Sequence, residues 1–219
     1  KKFYRRDSIV IYPPVEVEKI IGDTKDLKKE DYFLMVSRLV GAKGLEEAAK
    51  AAKKANFKLK IVGETSGFSD IEARLKKLSG GNVELLGRVS DEELWKLYGK
   101  AKGFIALARE EDFGMTPVEA MAAGTPVIAF NGGGFRESVV DPSTGHSTLR
   151  DEPSGSDSKS SGQVATGILI DDTDEETIGK AVRKLSNANW NKERLRQHAR
   201  KFSRERFEKE FKAYIKRYI

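Results

Sequence analysis

Short apolar segments alternate with amphipathic helical segments along the chain, and this alternation constrains the fold more than any other feature. Seven apolar segments are rich in Val, Ile, Leu, Phe and Ala: 9–12, 32–36, 59–62, 83–86, 104–107, 126–130 and 167–170. Strands without a polar face are typical of a parallel sheet that helices cover on both sides. Because crossovers between parallel strands are right-handed, we predict an α/β fold with a Rossmann-like, doubly wound parallel sheet of about six strands.

Helical patterns fill the spaces between these segments. We expect helices at 44–55, 69–78 and 90–100, one beginning near Pro117, and three more at 174–186, 191–200 and 203–218. Ser69 with Glu72, and Ser90 with Glu93, have the spacing of a capping box, so we expect both serines to cap helices.

Composition limits the class of protein. The 219 residues include no Cys and two His, which excludes disulfide scaffolds and thiolate or multi-His metal sites. No apolar run approaches the length of a membrane span and no leader pattern opens the chain, so we expect a cytoplasmic protein. The formal net charge of +6 is compatible with an anionic ligand, but no aromatic and basic platform indicates nucleic acid.

The length favours one domain over residues 1–219, with the last helices, at about 190–218, as an extension. Residues 141–163 contain seven Ser and few large apolar residues, which predicts a flexible insertion before the last strand.

Ligands of doubly wound sheets bind beyond the carboxyl ends of the strands, so the loops there are the first candidates for a site. The loop at 37–44 places Arg38 and Lys43 beside a helix N-terminus, where two cations and free amides suit a diphosphate. Gly63 follows the next strand and either allows a ligand close to the backbone or forms a simple turn.

The segment 110–119 is the strongest candidate. Gly114 permits a special turn, Thr116 fits an N-cap and Pro117 the first helical position. Glu119 then either completes a capping box or accepts hydrogen bonds from a ligand. An anion site beside acidic side chains suits a ligand that offers both phosphates and hydroxyls, such as a nucleotide sugar.

Glu111 and Glu119 are separated by seven residues, and this spacing resembles the E-x7-E signature of retaining GT-B glycosyltransferases of family 4. The segments 37–44, 86–94, 124–129 and 132–137 resemble the same family's diphosphate loop, base-proximal loop and closing segments. The segments 11–15, 110–117 and 202–207 are most similar to mannosyltransferases that use GDP-mannose.

The resemblance implies a role for each matching residue. Arg38 and Lys43 would hold the diphosphate and stabilise the departing nucleotide, and Glu111 would contact hydroxyls of the donor sugar. The nucleotide and sugar would be bound by a larger group: Gly63, Arg88, Val89, the amides of Phe113, Gly114, Met115 and Thr116, and Glu119 on the ribose. The family uses no metal for this work, so we expect no cofactor beyond the nucleotide-sugar substrate. The pattern after strand 59–62 departs from the family's usual glycine motif, which weakens the assignment of base contacts.

The resemblance also implies partners. Family members carry a first domain that holds most of the acceptor site, so we expect this chain to be the C-terminal, donor-binding half. The acceptor would be a glycan or a lipid-linked glycan.

Four aromatic residues near the C-terminus are expected to divide between the core and an exposed surface: Phe202, Phe207, Phe211 and Tyr214. Basic residues around them would allow peripheral contact with an anionic membrane. The alternatives are a UDP-sugar donor within the same class, or a non-catalytic nucleotide-binding module.

Overall fold

The computed structural model describes residues 9–39, 43–64, 70–144 and 165–218. Their centre is one parallel sheet whose spatial order is β3-β2-β1-β4-β5-β6. The strands are β1 (Phe33–Val36), β2 (Leu59–Val62), β3 (Val83–Gly87), β4 (Gly103–Ala106), β5 (Val127–Phe130) and β6 (Gly167–Ile170). This is the doubly wound α/β fold that the sequence predicts, with strand bounds within one residue of those expected.

Helices cover both faces of the sheet. In chain order they are α1 (Val17–Thr24), α2 (Leu45–Ala55), α3 (Ile71–Ser79), α4 (Asp91–Lys100), α5 (Met115–Ala122), α6 (Phe135–Ser138), α7 (Glu175–Asn187), α8 (Lys192–Ala199) and α9 (Arg204–Tyr218). Packing between α2, α3 and α7 covers one face, and packing between α1, α4, α5 and α8 covers the other.

Each strand contributes side chains to two separate cores. Phe33 and Met35 of β1 belong to the core beneath α2 and α7, whereas Leu34 belongs to the core beneath α4 and α5. Because neighbouring side chains of a strand point to opposite faces, a strand buried on both sides must be apolar at every position. This requirement explains why most strand positions of the sequence are apolar.

The first predicted strand is wrong. Residues 9–14 form no strand, and the side chains of Ile9 and Val10 are half exposed. Pro13 and Pro14 have no N–H to donate, so the segment cannot make a regular ladder. It is held instead by one parallel bridge between Val15 and Ser203.

Two helix starts differ from the predicted ones, and one agrees. Helix α3 begins at Ile71 with Asp70 at its N-cap and no side-chain cap, while Ser69 lies outside the described residues. The predicted cap of α4 is confirmed, because the Ser90 hydroxyl accepts a hydrogen bond from the Glu93 amide at 3.2 Å. The predicted cap of α5 at Thr116 is wrong, since that helix begins at Met115, two residues before the expected Pro117, and Gly114 is its N-cap.

Most of the predicted insertion, residues 145–164, lies outside the described residues. Its first residues are ordered. The buried carboxylate of Asp141 accepts hydrogen bonds from the amide of Leu169 at 2.9 Å and that of Ser143 at 3.0 Å. This part of the segment is therefore an anchor to β6 rather than a flexible loop.

The C-terminal aromatic residues divide between core and surface as predicted. Phe202 is fully buried and packs against Tyr12 and Phe113, with ring centroids 5.5 and 5.3 Å away. Phe211 and Tyr214 on α9 are 45% and 40% exposed. No helix within the described ranges is long and apolar enough to cross a membrane.

Candidate functional site

A cleft of about 290 Å³ opens where β1 and β4 end. Chain order reverses between these two neighbouring strands, since β2 and β3 lie on one side and β5 and β6 on the other. Backbones diverge at such a switch point and leave a crevice at the carboxyl edge. Residues 36–38 after β1 and 106–108 after β4 form its opposing walls.

Six of the predicted site residues line this cleft together. They are Arg38, Lys43, Glu111, Gly114, Met115 and Thr116. They come from two separate segments of the sequence, the loop after β1 and the segment after β4, and the sheet topology brings both to one edge.

The N-terminus of α5 faces the cleft. Gly114 adopts a left-handed conformation (φ 79°) at the N-cap, and the helix has no side-chain cap. A Cβ at this position would lie 2.6 Å from the Phe135 ring, so both the backbone angle and the packing require glycine. The first amides of a helix have no intrahelical acceptor, and those of Met115 and Thr116 are therefore suited to an anion.

The Lys43 ammonium donates a hydrogen bond to Glu111 Oε2 at 3.0 Å across this cleft. Both side chains are partly exposed, at 22% and 31%, so a ligand can reach either of them. The pair joins the loop after β1 to the loop after β4. It places a cation and a carboxylate next to the α5 amides.

Glycines after β5 position the Glu111 loop. The Gly134 amide donates a hydrogen bond to the Glu111 carbonyl at 2.7 Å. A Cβ on Gly133 would lie 2.5 Å from the Glu111 carbonyl oxygen, and one on Gly134 would lie 2.3 Å from the Cα of Phe113. The backbones of the two loops are therefore in direct contact, which only glycine permits.

Glu119 lies outside the lining of the cleft and has a different environment from Glu111. Its Oε2 accepts a hydrogen bond from the Tyr98 hydroxyl at 2.9 Å. Burial raises the pKa of Glu119, the Tyr98 hydrogen bond lowers it, and the charge of Asp91 raises it. The predicted capping box is wrong: Glu119 is the fifth residue of α5, too far along the helix to cap it.

Glu119 is also influenced by the charge of Asp91, a residue close in sequence to the loop after β3. Asp91 is the first residue of α4 and comes two residues after Val89, and its charge raises the pKa of Glu119. Arg88 is exposed and Val89 half-buried in that same loop. Glu119 thus lies against α4, the helix that follows the Arg88–Val89 loop, and outside the lining of the cleft that Lys43 and Glu111 share.

The remaining predicted residues, Gly63 and Phe113, do not line the cleft. Gly63 has φ 149°, and a Cβ there would lie 1.8 Å from the Ser37 carbonyl oxygen. A turn in close contact with the backbone after β1 is therefore sufficient to explain glycine at this position. Phe113 does not line the cleft; its ring is buried 5.2 Å from that of Tyr12.

Sequence reasoning missed Tyr98 and the roles of Gly133 and Gly134. Tyr98 lies mid-helix in a pattern that indicates only a core position, 21 residues from its acid partner. Consecutive glycines after a strand were the available signal for the close loop contact. Within the ranges given above, no group of three or more His, Cys, Asp or Glu side chains could hold a metal ion.

Comparison with solved structures supports the same fold. The chain is similar to the lipopolysaccharide outer core galactosyltransferase WaaB, with a TM-score of 0.70, 19% identity, and coverage of 96% of this chain and 56% of that one. The fold is therefore that of GT-B glycosyltransferases.

Sequence relatives agree with this fold. An uncharacterized glycosyltransferase of Methanocaldococcus jannaschii is 34% identical over 146 residues, which are 67% of this chain and 40% of the relative. The GDP-Man:Man(3)GlcNAc(2)-PP-Dol alpha-1,2-mannosyltransferase of Xenopus laevis is 32% identical over 152 residues, 61% of this chain and 31% of the relative. The chain thus spans less than half the length of these relatives.

The family match covers both walls of the cleft, the α5 N-terminus and Glu119. Residues 16–202 match the family described as glycosyl transferases group 1. This chain belongs to the glycosyl transferases group 1 family.

Proposed function

We propose that the cleft binds the nucleotide-sugar donor of a retaining glycosyltransferase, and that the donor is GDP-mannose. The mannosyl group would pass to a glycan or lipid-linked acceptor held mainly by a second domain. The observation that carries the proposal is the Lys43–Glu111 pair beside the α5 amides.

The charges of the cleft suit the two halves of a sugar diphosphate. Arg38 and Lys43 are cations on one wall, and the unpaired amides of α5 add partial positive charge at the floor. Glu111 is an acceptor for sugar hydroxyls on the other wall. A bare phosphate would be repelled by this carboxylate, whereas a phosphate with an attached hexose presents hydroxyl donors to it.

The same groups would assist transfer. As the bond from the sugar to the diphosphate breaks, negative charge develops on the leaving oxygen. Fixed cations and amides stabilise such charge in a partly enclosed site without reorganisation. Glu111 would orient the sugar through its hydroxyls, and departure and attack on the same face would give retention.

The nucleoside would lie toward Glu119 and the Arg88–Val89 loop. Glu119 has one oxygen hydrogen-bonded to Tyr98 and is partly accessible, which suits the hydroxyls of a ribose. Identification of guanine and mannose rests on the sequence resemblance and on the 32% identity with a relative whose name specifies GDP-Man. Contact with a membrane surface stays a prediction.

Removal of either cation tests the diphosphate assignment. Arg38→Ala and Lys43→Ala should each weaken GDP binding by about 1.5–3 kcal/mol, which is the range for hydrogen bonds to charged groups. Isothermal titration calorimetry measures the affinity directly. Lys50→Ala is the matched control, because Lys50 is an exposed cation of α2 away from the cleft.

The assignment is wrong if Arg38→Ala and Lys43→Ala bind GDP as tightly as the unmodified chain. An equal loss in all three variants would mean that only net charge matters. A preference for UDP would keep the donor-binding role and reject GDP-mannose.

A further inference from the structure

Tyr98 is a fully buried tyrosine whose hydroxyl group reaches Glu119. It lies on α4, its exposed fraction is zero, and its hydroxyl donates to Glu119 Oε2 at 2.9 Å. A buried hydroxyl is costly without a partner, so this hydrogen bond has a strong reason to persist. It fixes one of the two oxygens of Glu119.

The tyrosine is itself held from two sides. The Thr125 hydroxyl donates to the Tyr98 carbonyl at 2.6 Å, and the Lys29 ammonium donates to the same threonine oxygen. The Tyr98 ring packs against Phe104 with centroids 5.4 Å apart. Rotation of the ring away from Glu119 would break its packing with Phe104, and the Thr125 hydrogen bond holds the backbone of Tyr98 in place, so the hydroxyl is a fixed point.

A flexible carboxylate that a fixed hydroxyl already holds loses less conformational entropy when it binds a ligand. A free glutamate side chain loses rotamer entropy whenever a ligand immobilises it. Tyr98 has already restricted Glu119 and leaves the lone pairs of Oε1 for two hydroxyl donors. A cis-diol presents two such donors side by side.

We propose that Tyr98 is a positioning residue for nucleotide recognition, holding the Glu119 carboxylate in the orientation and charge state that accept hydrogen bonds from a ribose diol. This inference rests on the proposed function, which places the ribose at Glu119.

The groups that shift the pKa of Glu119 support the proposal that Tyr98 favours the charged form of this carboxylate. Burial and the neighbouring charge of Asp91 raise the pKa of Glu119, and the Tyr98 hydrogen bond opposes both. The other elements packed against α5 are α1, α6, α8, β4 and β5. The charged side chain that raises the pKa of Glu119 is that of Asp91, on α4. Loss of the hydroxyl should therefore let a proton compete with the ligand at mildly acidic pH.

The test is GDP binding by calorimetry as a function of pH for Tyr98→Phe. We expect a roughly 2- to 12-fold loss of affinity at pH 8, which is the range of a typical net hydrogen-bond contribution. We expect a distinctly larger loss at pH 5.5, because protonation of Glu119 adds to the loss of orientation. Tyr32→Phe is the matched control, since the Tyr32 hydroxyl donates to the carbonyl of Leu97 on the same helix and makes no contact with Glu119.

A double variant separates a positioning role from a structural one. If Tyr98 acts through Glu119, Tyr98→Phe should cause no further loss of affinity in a Glu119→Gln background. An equal loss in both backgrounds, or an unchanged pH profile for Tyr98→Phe, would overturn the inference. The proposed function fails separately, if Glu119→Gln alone leaves GDP affinity unchanged.

A second variant keeps the test open if Tyr98→Phe does not fold. Thr125→Val retains the tyrosine hydroxyl but removes the hydrogen bond to the Tyr98 carbonyl. We expect it to show an acid-dependent loss of GDP affinity that is smaller than that expected for Tyr98→Phe. A profile identical to that of the unmodified chain would contradict the proposal.

Discussion

At the scale of single residues, the two glutamates of the site differ in environment more than in position. Glu111 is paired with a cation at 3.0 Å. Glu119 is paired with a neutral hydroxyl, and burial raises its pKa. The first therefore holds the Lys43 ammonium in place, and the second presents a carboxylate whose charge is only partly compensated.

The Lys43–Glu111 pair must rearrange when a diphosphate binds, and this gives a prediction. Glu111→Gln frees Lys43, so GDP should bind more tightly, by about 0.2–1 kcal/mol, the range of a partly exposed ion pair. GDP-mannose should lose affinity relative to GDP, because its sugar hydroxyls lose a charged acceptor. Calorimetry with both ligands measures the two effects.

Glu110→Gln is the control for this variant, since Glu110 is the adjacent exposed glutamate and lines no part of the cleft. If Glu111→Gln weakened GDP and GDP-mannose equally, the carboxylate would have no particular relation to the sugar.

Sequence reasoning succeeded at this scale where function depends on a local motif. The positions of Arg38, Lys43 and Glu111 after strands were predictable, because parallel strands deliver their following loops to one edge. The hydrogen bond between Tyr98 and Glu119 was not predictable, because it depends on how α4 packs against α5. A capping role was the only local alternative, and it failed because the left-handed Gly114 starts the helix earlier.

At the scale of elements, the site depends on loops that are held by backbone contact. Gly134→Ala would place a methyl group 2.3 Å from the Cα of Phe113, and neither backbone can yield locally. The Glu111 loop would shift, and misplaced groups lose much of their binding energy. We expect at least a 10-fold loss of GDP-mannose affinity, measured by calorimetry.

Gly22→Ala serves as the comparison. Gly22 is an exposed residue of α1, and a Cβ there would meet nothing within 4 Å. Alanine should stabilise the helix by roughly 0.5–1 kcal/mol without any change in binding. Normal GDP-mannose affinity in Gly134→Ala would show that the glycine loop does not position the site.

Among the predicted elements, the segment 9–12 shows where the apolar pattern gives a wrong prediction. The segment 9–12 has the composition of a strand but no partner in the sheet, because two prolines follow it at once. The six true strands have neighbours on at least one side and helices above and below. An apolar run followed directly by prolines therefore predicts neither pairing nor full burial, since Ile9 and Val10 are half exposed.

At the scale of the whole molecule, acid stability should depend on one buried histidine. His198 on α8 makes a 2.9 Å hydrogen bond with the Ser138 carbonyl, and burial lowers its pKa to about 4. The unfolded chain binds a proton near the ordinary pKa of 6.5, so the fold loses stability as pH falls from 6.5 toward 4. The loss amounts to about 3 kcal/mol, from roughly 1.4 kcal/mol for each pKa unit.

His198→Gln keeps a hydrogen-bond donor and removes the titration. Thermal unfolding between pH 4 and 7 should therefore show a smaller fall in Tm for the variant than for the unmodified chain. A variant whose Tm falls as steeply as that of the unmodified chain would place the acid sensitivity elsewhere, most directly on paired carboxylates.

The fold class could be predicted from the alternation of strands and helices, whereas the cleft could only be located from the strand order. The cleft lies where β1 and β4 are neighbours and the chain order reverses. The alternation of strands and helices in the sequence does not specify which strands are neighbours. The family resemblance named the residues, and the fold explains why residues 38, 43 and 111 meet.

The most direct measurement for the central claim is calorimetric titration of this chain with GDP-mannose, GDP, UDP and ADP. The account predicts saturable binding of GDP and GDP-mannose, weaker binding of UDP and ADP, and loss of that binding in Lys43→Ala. Absence of saturable binding for all four ligands, or binding that Lys43→Ala leaves unchanged, would contradict a nucleotide-sugar site in this cleft.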